Sequence, residues 1–94
     1  MSYILGVSKR KNKKYFVITP RGKKIHFGDI NYEDFTQHKN EQRKENYILR
    51  HRKRENWENI NTSGFWSRWL LWEKPTLRSA IRNMKHKFNI SIIV

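Results

Sequence analysis

An α+β domain is expected from this chain: a small N-terminal antiparallel β-hairpin or sheet, packed by about three helices, with the C-terminal tail as an optional edge strand. Three features carry that expectation. Strand-forming residues from Tyr15 to Thr19 are followed by a turn and an alternating stretch from Lys24 to Phe27, a capped and heavily charged helical stretch starts at Asn40, and an apolar stripe of helical period follows Pro75. Neither repeats nor Pro/Gly-rich linkers separate them, so the 94 residues read as one domain with a β-rich part (1–28), a basic helical part (29–60) and a Trp-rich part (61–94). Hydrophobic residues make up 36% of the chain and aromatics 14%, enough for a thin core and too much for wholesale disorder.

The elements follow in order. Tyr15-Phe16-Val17-Ile18-Thr19 has strand propensity, Pro20-Arg21-Gly22 is a turn, and Lys24-Ile25-His26-Phe27 is the return strand, with Ile25 and Phe27 on one face and Lys24 and His26 on the other. Ile4, Leu5 and Val7 suit a third strand. Gly28-Asp29 is read as the end of the sheet, and Asn31 to Phe35 as one helical turn capped by Asp29 or Asn31. Asn40 then caps a helix from Glu41 to about Lys53, with acids early and cations late as the helix dipole favours. Tyr47 and Ile48 form its modest seam, helped by the stems of Lys44 and His51.

The capping cluster Asn61-Thr62-Ser63-Gly64 opens a segment in which Trp66, Trp69 and Trp72 recur at i, i+3 and i+6, a spacing that points to core packing, with base stacking as the alternative. After Pro75, Leu77, Ala80, Ile81, Met84 and Phe88 form an apolar stripe opposite Arg78, Arg82 and Lys85. The expected core is Phe65, Trp66, Trp69, Leu70, Trp72, Leu77, Ile81, Met84 and Phe88. Ile90 to Val94 is β-branched and suits an edge strand that must be paired or covered.

Charge is the largest signal. The chain has 21 Lys and Arg against 8 Asp and Glu, a formal net charge of +13. A compact domain with that surplus repels itself, and a polyanion relieves the repulsion while releasing its own counterions. Two clusters stand out. Lys9, Arg10, Lys11, Lys13, Lys14, Arg21, Lys23 and Lys24 contain no acid between them, and a hairpin is expected to present them as a strip. Lys39, Arg43, Lys44, Arg50, His51, Arg52, Lys53 and Arg54 are interrupted only by acids that pair one turn on. Both suit phosphate contacts, which position a protein on nucleic acid without reading sequence.

Other chemistry is weakly represented. There is no cysteine, hence no disulfide and no thiolate zinc site, which fits a reducing compartment. The spacing of His38 and His51 fits no zinc motif, so no metal and no cofactor is expected; His38 is expected to hydrogen-bond near the aromatic turn, holding Thr36 or a backbone carbonyl in place, and His26 and His86 to lie on the surface. No Gly-rich phosphate loop, H-E-x-x-H pair or cysteine nucleophile occurs, so the chain is not expected to be an enzyme; a small nuclease built on His38 or His51 is the one catalytic variant with any basis. No signal peptide or membrane-spanning run is read in it, and no small-molecule substrate is expected.

The pattern Ile25-x-Phe27-Gly28-x-x-x-Tyr32-x-Asp34-Phe35-Thr36-x-His38-Lys39, followed by Arg43, Tyr47-Ile48-x-Arg50-His51, Glu55-x-Trp57, Gly64-Phe65-x-Ser67 and Leu70-Leu71-Trp72-x-Lys74-Pro75-Thr76-Leu77, resembles a family of short basic proteins encoded by giant double-stranded DNA viruses. The likeness runs over about residues 14 to 88. It departs at Asn40, where an acid is common, and at Phe35, where Tyr is frequent, so no role for that acid or hydroxyl carries over. The resemblance implies a structural or packaging component of the virion or virus factory in the host cytoplasm. Two functions follow: non-specific binding of DNA or RNA, or a minor capsid or core protein that bridges acidic surfaces of other virion proteins.

Overall fold

The computed structural model describes all of residues 1–94. Three strands, β1 (Ser2–Val7), β2 (Lys13–Ile18) and β3 (Lys24–Asp29), form an antiparallel meander. A short α1 (Phe35–His38) and a longer α2 (Glu41–His51) follow. Next come α3 (Ser63–Trp66), which continues as a π-helical turn over Ser67–Leu71, then α4 (Leu77–Phe88) and β4 (Ser91–Ile93). The sheet order is β3-β2-β1-β4, and β4 lies parallel to β1. The α+β class and the N-terminal meander are as expected. The tail does form an edge strand, but beside β1 at the far side of the sheet from β3.

Local chemistry explains the turns. In the β2–β3 connection Gly22 has φ +86°, its N–H donates to Thr19 O at 2.8 Å, and the Thr19 hydroxyl accepts from Lys23 N–H at 3.1 Å. In the β1–β2 connection Asn12 takes the left-handed conformation at φ 68°, which Asn tolerates better than most residues. Strand β3 runs through Gly28 instead of ending there. Gly28 has φ +82°, and a Cβ on it would stand 2.8 Å from Leu71 Cδ1.

One face of the sheet carries the core. Tyr3 and Leu5 of β1, Val17 of β2, and Ile25 and Phe27 of β3 pack against Phe65, Trp66, Leu70, Leu71, Ala80, Met84 and Ile90. The buried pairs Phe65/Trp66 and Leu70/Leu71 recur at five residues, and a π turn brings such residues into line. The Trp spacing of three therefore does not set the buried face. Trp66 is fully buried and donates Nε1–H to Ile60 O at 2.8 Å, whereas Trp69 and Trp72 are half-buried at the flanks. Helix α4 presents Ala80 and Met84 inward, with Leu77, Ile81 and Phe88 at its margins. It starts at the Thr76 cap and stops at Asn89, whose φ of 55° is left-handed.

A second aromatic cluster seats α2. Tyr47 stacks on Trp72 with centroids 4.2 Å apart and planes 6° from parallel, and on His51 at 4.4 Å. Arg68 is withdrawn beneath this layer: it pairs with Glu73 at 2.8 Å and lies 4.4 Å over the Trp69 ring. Glu73 in turn anchors Lys44 of α2, whose Nζ donates to the Glu73 carbonyl at 2.8 Å.

The expected cap of the first helical turn was misplaced. Asp34, not Asp29 or Asn31, caps α1, in a capping box in which its side chain accepts from Thr36 N–H at 2.9 Å and Gln37 Oε1 accepts from Asp34 N–H at 2.9 Å. Asp29 instead accepts from Asn31 N–H at 2.9 Å. Asn40 caps α2 as expected, its side chain accepting from Arg43 N–H at 3.1 Å.

Candidate nucleic-acid interface

The first basic cluster does not form one strip. Lys9, Arg10 and Lys11 sit in the β1–β2 connection, while Arg21 and Lys23 sit in the β2–β3 turn at the opposite end of β2, separated by a strand of six residues or about 17 Å. All five are exposed; Lys23 Nζ reaches Asn61 O at 3.4 Å. Lys24 lies on the sheet face turned away from the core, its Nζ 4.3 Å from the centroid of the Phe16 ring. Lys13 is half-buried beside Asp29, its register partner.

Lys14 has left the surface. Its Nζ pairs with Asp34 Oδ2 at 2.7 Å and donates to Tyr32 O at 2.6 Å and Gln37 Oε1 at 2.7 Å, with side-chain exposures of 12% for Lys14 and 4% for Asp34. Three acceptors surround three ammonium protons, so no donor remains for a phosphate. Lys14 is a structural tie between β2 and the α1 turn.

The second cluster divides in the same way. Lys39 donates to Thr36 O at 2.8 Å and Pro75 O at 3.0 Å, Arg43 meets Glu33 at 3.3 Å, and Lys44 is held by Glu73. His51 packs on Tyr47 and approaches Glu55 at 3.5 Å. Arg50 and Arg52 to Arg54 remain exposed and without a carboxylate at the end of α2, which stops at His51, short of the expected Lys53.

A third basic surface belongs to α4. Arg78, Arg82 and Lys85 fall at i, i+4 and i+7, all exposed, spread over about 10 Å of helix. The sequence carried a signal for them that the two-cluster reading did not use: residues 74 to 94 contain no acid. Across the molecule, only Lys14, Arg43, Lys44 and Arg68 of the 21 Lys and Arg side chains pair with a carboxylate.

A cleft of about 800 Å³ opens between the end of β3, α2 and α3. Lys13, Lys14, Arg43 and Arg50 line it, but so do Asp29, Glu33, Asp34 and Glu55, and its floor is Tyr47, Leu71 and Trp72. The acids make it a poor cradle for an anion. Apart from Lys13 and Arg50, the cations without a carboxylate lie outside it.

The histidines are tuned by their surroundings. Loss of hydration, then the charge of Arg43, holds the His38 pKa below its ordinary value despite Glu33 and Asp34. Its Nδ1 accepts from Asn40 N–H at 2.9 Å, and its Nε2 is buried without a partner. This differs from the expected bond to Thr36 or a carbonyl. His26 is bonded to Ser8, Nδ1 to Oγ at 2.7 Å, and its pKa is lowered by lost hydration and then by Arg10, Lys24 and Lys13. No group of three His, Asp or Glu side chains gathers in a way that could hold a metal ion, and no helix is long and apolar enough to cross a membrane.

Residues 3–51 match the model of a family of unknown function, DUF5754. The chain belongs to that family. The matched segment runs from β1 to the end of α2 and holds three of the four strands, yet Phe65, Trp66, Leu70, Leu71, Ala80 and Met84, which cover the sheet, all come from the remainder. Both expected basic clusters lie in the DUF5754 segment except for Arg52, Lys53 and Arg54, whereas the α4 surface lies beyond it. No curated protein and no solved structure matches the chain.

Proposed function

We propose that this DUF5754 protein binds nucleic acid through phosphate contacts, without reading base sequence and without performing chemistry on it. One observation carries the proposal: four of the 21 Lys and Arg side chains are paired within the fold, so nearly all of the +13 surplus faces solvent on the loops at the two ends of the sheet, the end of α2 and the outer face of α4. Internal ion pairs do not neutralise the domain. The cations of each surface are near neighbours in the chain, and charges closer than a Debye length, about 8 Å at physiological salt, act on a phosphate track together. The resemblance to short basic proteins of giant DNA viruses supports a setting in which such binding packages a genome.

The test is the salt dependence of binding to a duplex of random sequence. Neutralising about six phosphates gives a slope of log K against log salt near −5. Charge reversal at Arg50, Arg54, Arg82 and Lys85 should flatten it, since each lost contact removes about 0.9 from the slope. A slope near zero, or a slope that survives the four reversals, would refute the reading. Purified protein free of nucleic acid that instead captures an acidic protein would point to the bridging role.

A further inference from the structure

The main core packs on one face of the sheet, and the residues of the other face lie outside it, partly or fully exposed. Strand register groups its residues: Ile93 opposes Ile4, Ile4 opposes Ile18 and Ile18 opposes Lys24, while Gly6 opposes Phe16 and Phe16 opposes His26. Ile4 and Ile93 are 48% and 53% exposed, and none of these residues belongs to the core cluster. No carboxylate lies in either row.

The aromatic pair at the centre has a defined posture. A Cβ on Gly6 would collide with the Phe16 ring, whose Cε2 would stand 2.8 Å away, so the ring lies across the glycine and is backed by the sheet. The His26 ring follows with its centroid 6.0 Å away, and the exposed Lys24 ammonium rests over Phe16 on the solvent side.

We infer that this face is a stacking platform for a single-stranded polynucleotide, with bases laid on Phe16 and His26 and with Lys24 and Arg10 meeting the flanking phosphates. The inference rests on the proposed nucleic-acid binding and gives it a preferred substrate. A base stacked on an aromatic ring is worth more than an exposed cation over the same ring, so a base displaces Lys24, whose ammonium then finds a phosphate. A duplex keeps its base faces inside its own stack and gains nothing from the platform. The lowered His26 pKa keeps the imidazole neutral at pH 7, so it stacks without a fixed charge of its own. Self-association through this face would bring Lys24 against the cations of a second copy, which the absence of acids leaves uncompensated.

The experiment compares a thymidylate strand of about 20 nucleotides with a duplex of equal length, over a salt series, for the wild type and the Phe16→Leu, His26→Gln double variant. Leucine keeps an apolar cover on Gly6, and thermal melting checks that the variant is folded. The platform predicts at least about a tenfold loss of single-strand affinity, with duplex affinity and salt slope unchanged. In the wild type, NMR signals of the Phe16 ring and the His26 Cε1 proton should move on adding the strand, a readout that does not need the variant to fold. Unchanged single-strand affinity in a folded variant, unmoved signals, or a dimer broken by Ile4→Lys would overturn the platform alone. Failure of the wild type to bind either probe would instead overturn the phosphate-binding proposal beneath it.

Discussion

Replacing Asp34 by alanine tests whether the Lys14 pair is architecture and not binding surface. The carboxylate does two jobs: Oδ2 meets Lys14 Nζ at 2.7 Å, and Oδ1 accepts from Thr36 N–H at 2.9 Å as the cap of α1. Breaking a buried pair by removing one partner costs about 3–5 kcal/mol because the other charge stays behind. Lys14 would keep Tyr32 O at 2.6 Å and Gln37 Oε1 at 2.7 Å, which places the loss near the lower end, about 3 kcal/mol. The lost cap adds about 1 kcal/mol.

A domain of this size has a total stability of roughly 5–14 kcal/mol, so Asp34→Ala should remove a large part of it and lower Tm by more than about 12 °C. Lys14→Met leaves the Asp34 carboxylate with the Thr36 N–H and hydroxyl donors and should cost less, about 2 kcal/mol. Urea unfolding followed by Trp fluorescence measures both, and the double variant completes a cycle with an expected coupling of about 1–3 kcal/mol. Coupling below about 0.5 kcal/mol would refute the claim that this pair ties β2 to α1. The same Lys14→Met protein, if folded, should bind duplex with an unchanged salt slope, because its ammonium has no free donor. A shallower slope would return Lys14 to the interface.

Other perturbations follow from the same geometry. His38→Gln should flatten the acid side of the stability profile: the native imidazole has a lowered pKa, so stability is fully present above the unfolded value of 6.5 and falls as pH drops through the lowered native value, which pH-dependent urea midpoints will show. Tyr47 runs the opposite way. Burial, and then the charge of Glu55, raises its phenol pKa, so its stabilising contribution is complete below pH 10.0 and is lost in stronger alkali; Tyr47→Phe should reduce that loss, and absorbance titration should show one tyrosine ionising late. Gly28→Ala places a Cβ at φ +82° and 2.8 Å from Leu71 Cδ1, and should cost about 1–3 kcal/mol in chemical denaturation.

Much of the architecture was legible because it is local. Alternation at Ile25 and Phe27, the glycine turn before them, the Asn40 cap and the stripe from Leu77 to Phe88 depend on neighbours within a few residues, and each appears where the pattern put it. The π turn was not legible, because three tryptophans spaced by three suggest an ordinary helical face while the buried pairs recur at five. The α1 cap was misplaced for a related reason. Asp29, Asn31 and Asp34 are equivalent as local caps, and the choice falls on Asp34, the carboxylate that also receives Lys14 from a strand 20 residues earlier.

The candidate surface shows the same division. Net charge is a sum over composition, so the surplus of +13 and its attraction to a polyanion hold for any fold of this chain. Which cations remain available is a matter of through-space pairing. Lys14 and Lys44 are removed by partners 20 and 29 residues away, whereas Arg78, Arg82 and Lys85 stay free because α4 turns its apolar stripe inward and meets no acid outside. Ion pairing depends on distances of a few ångströms, and only packing brings residues so far apart in the chain within that range.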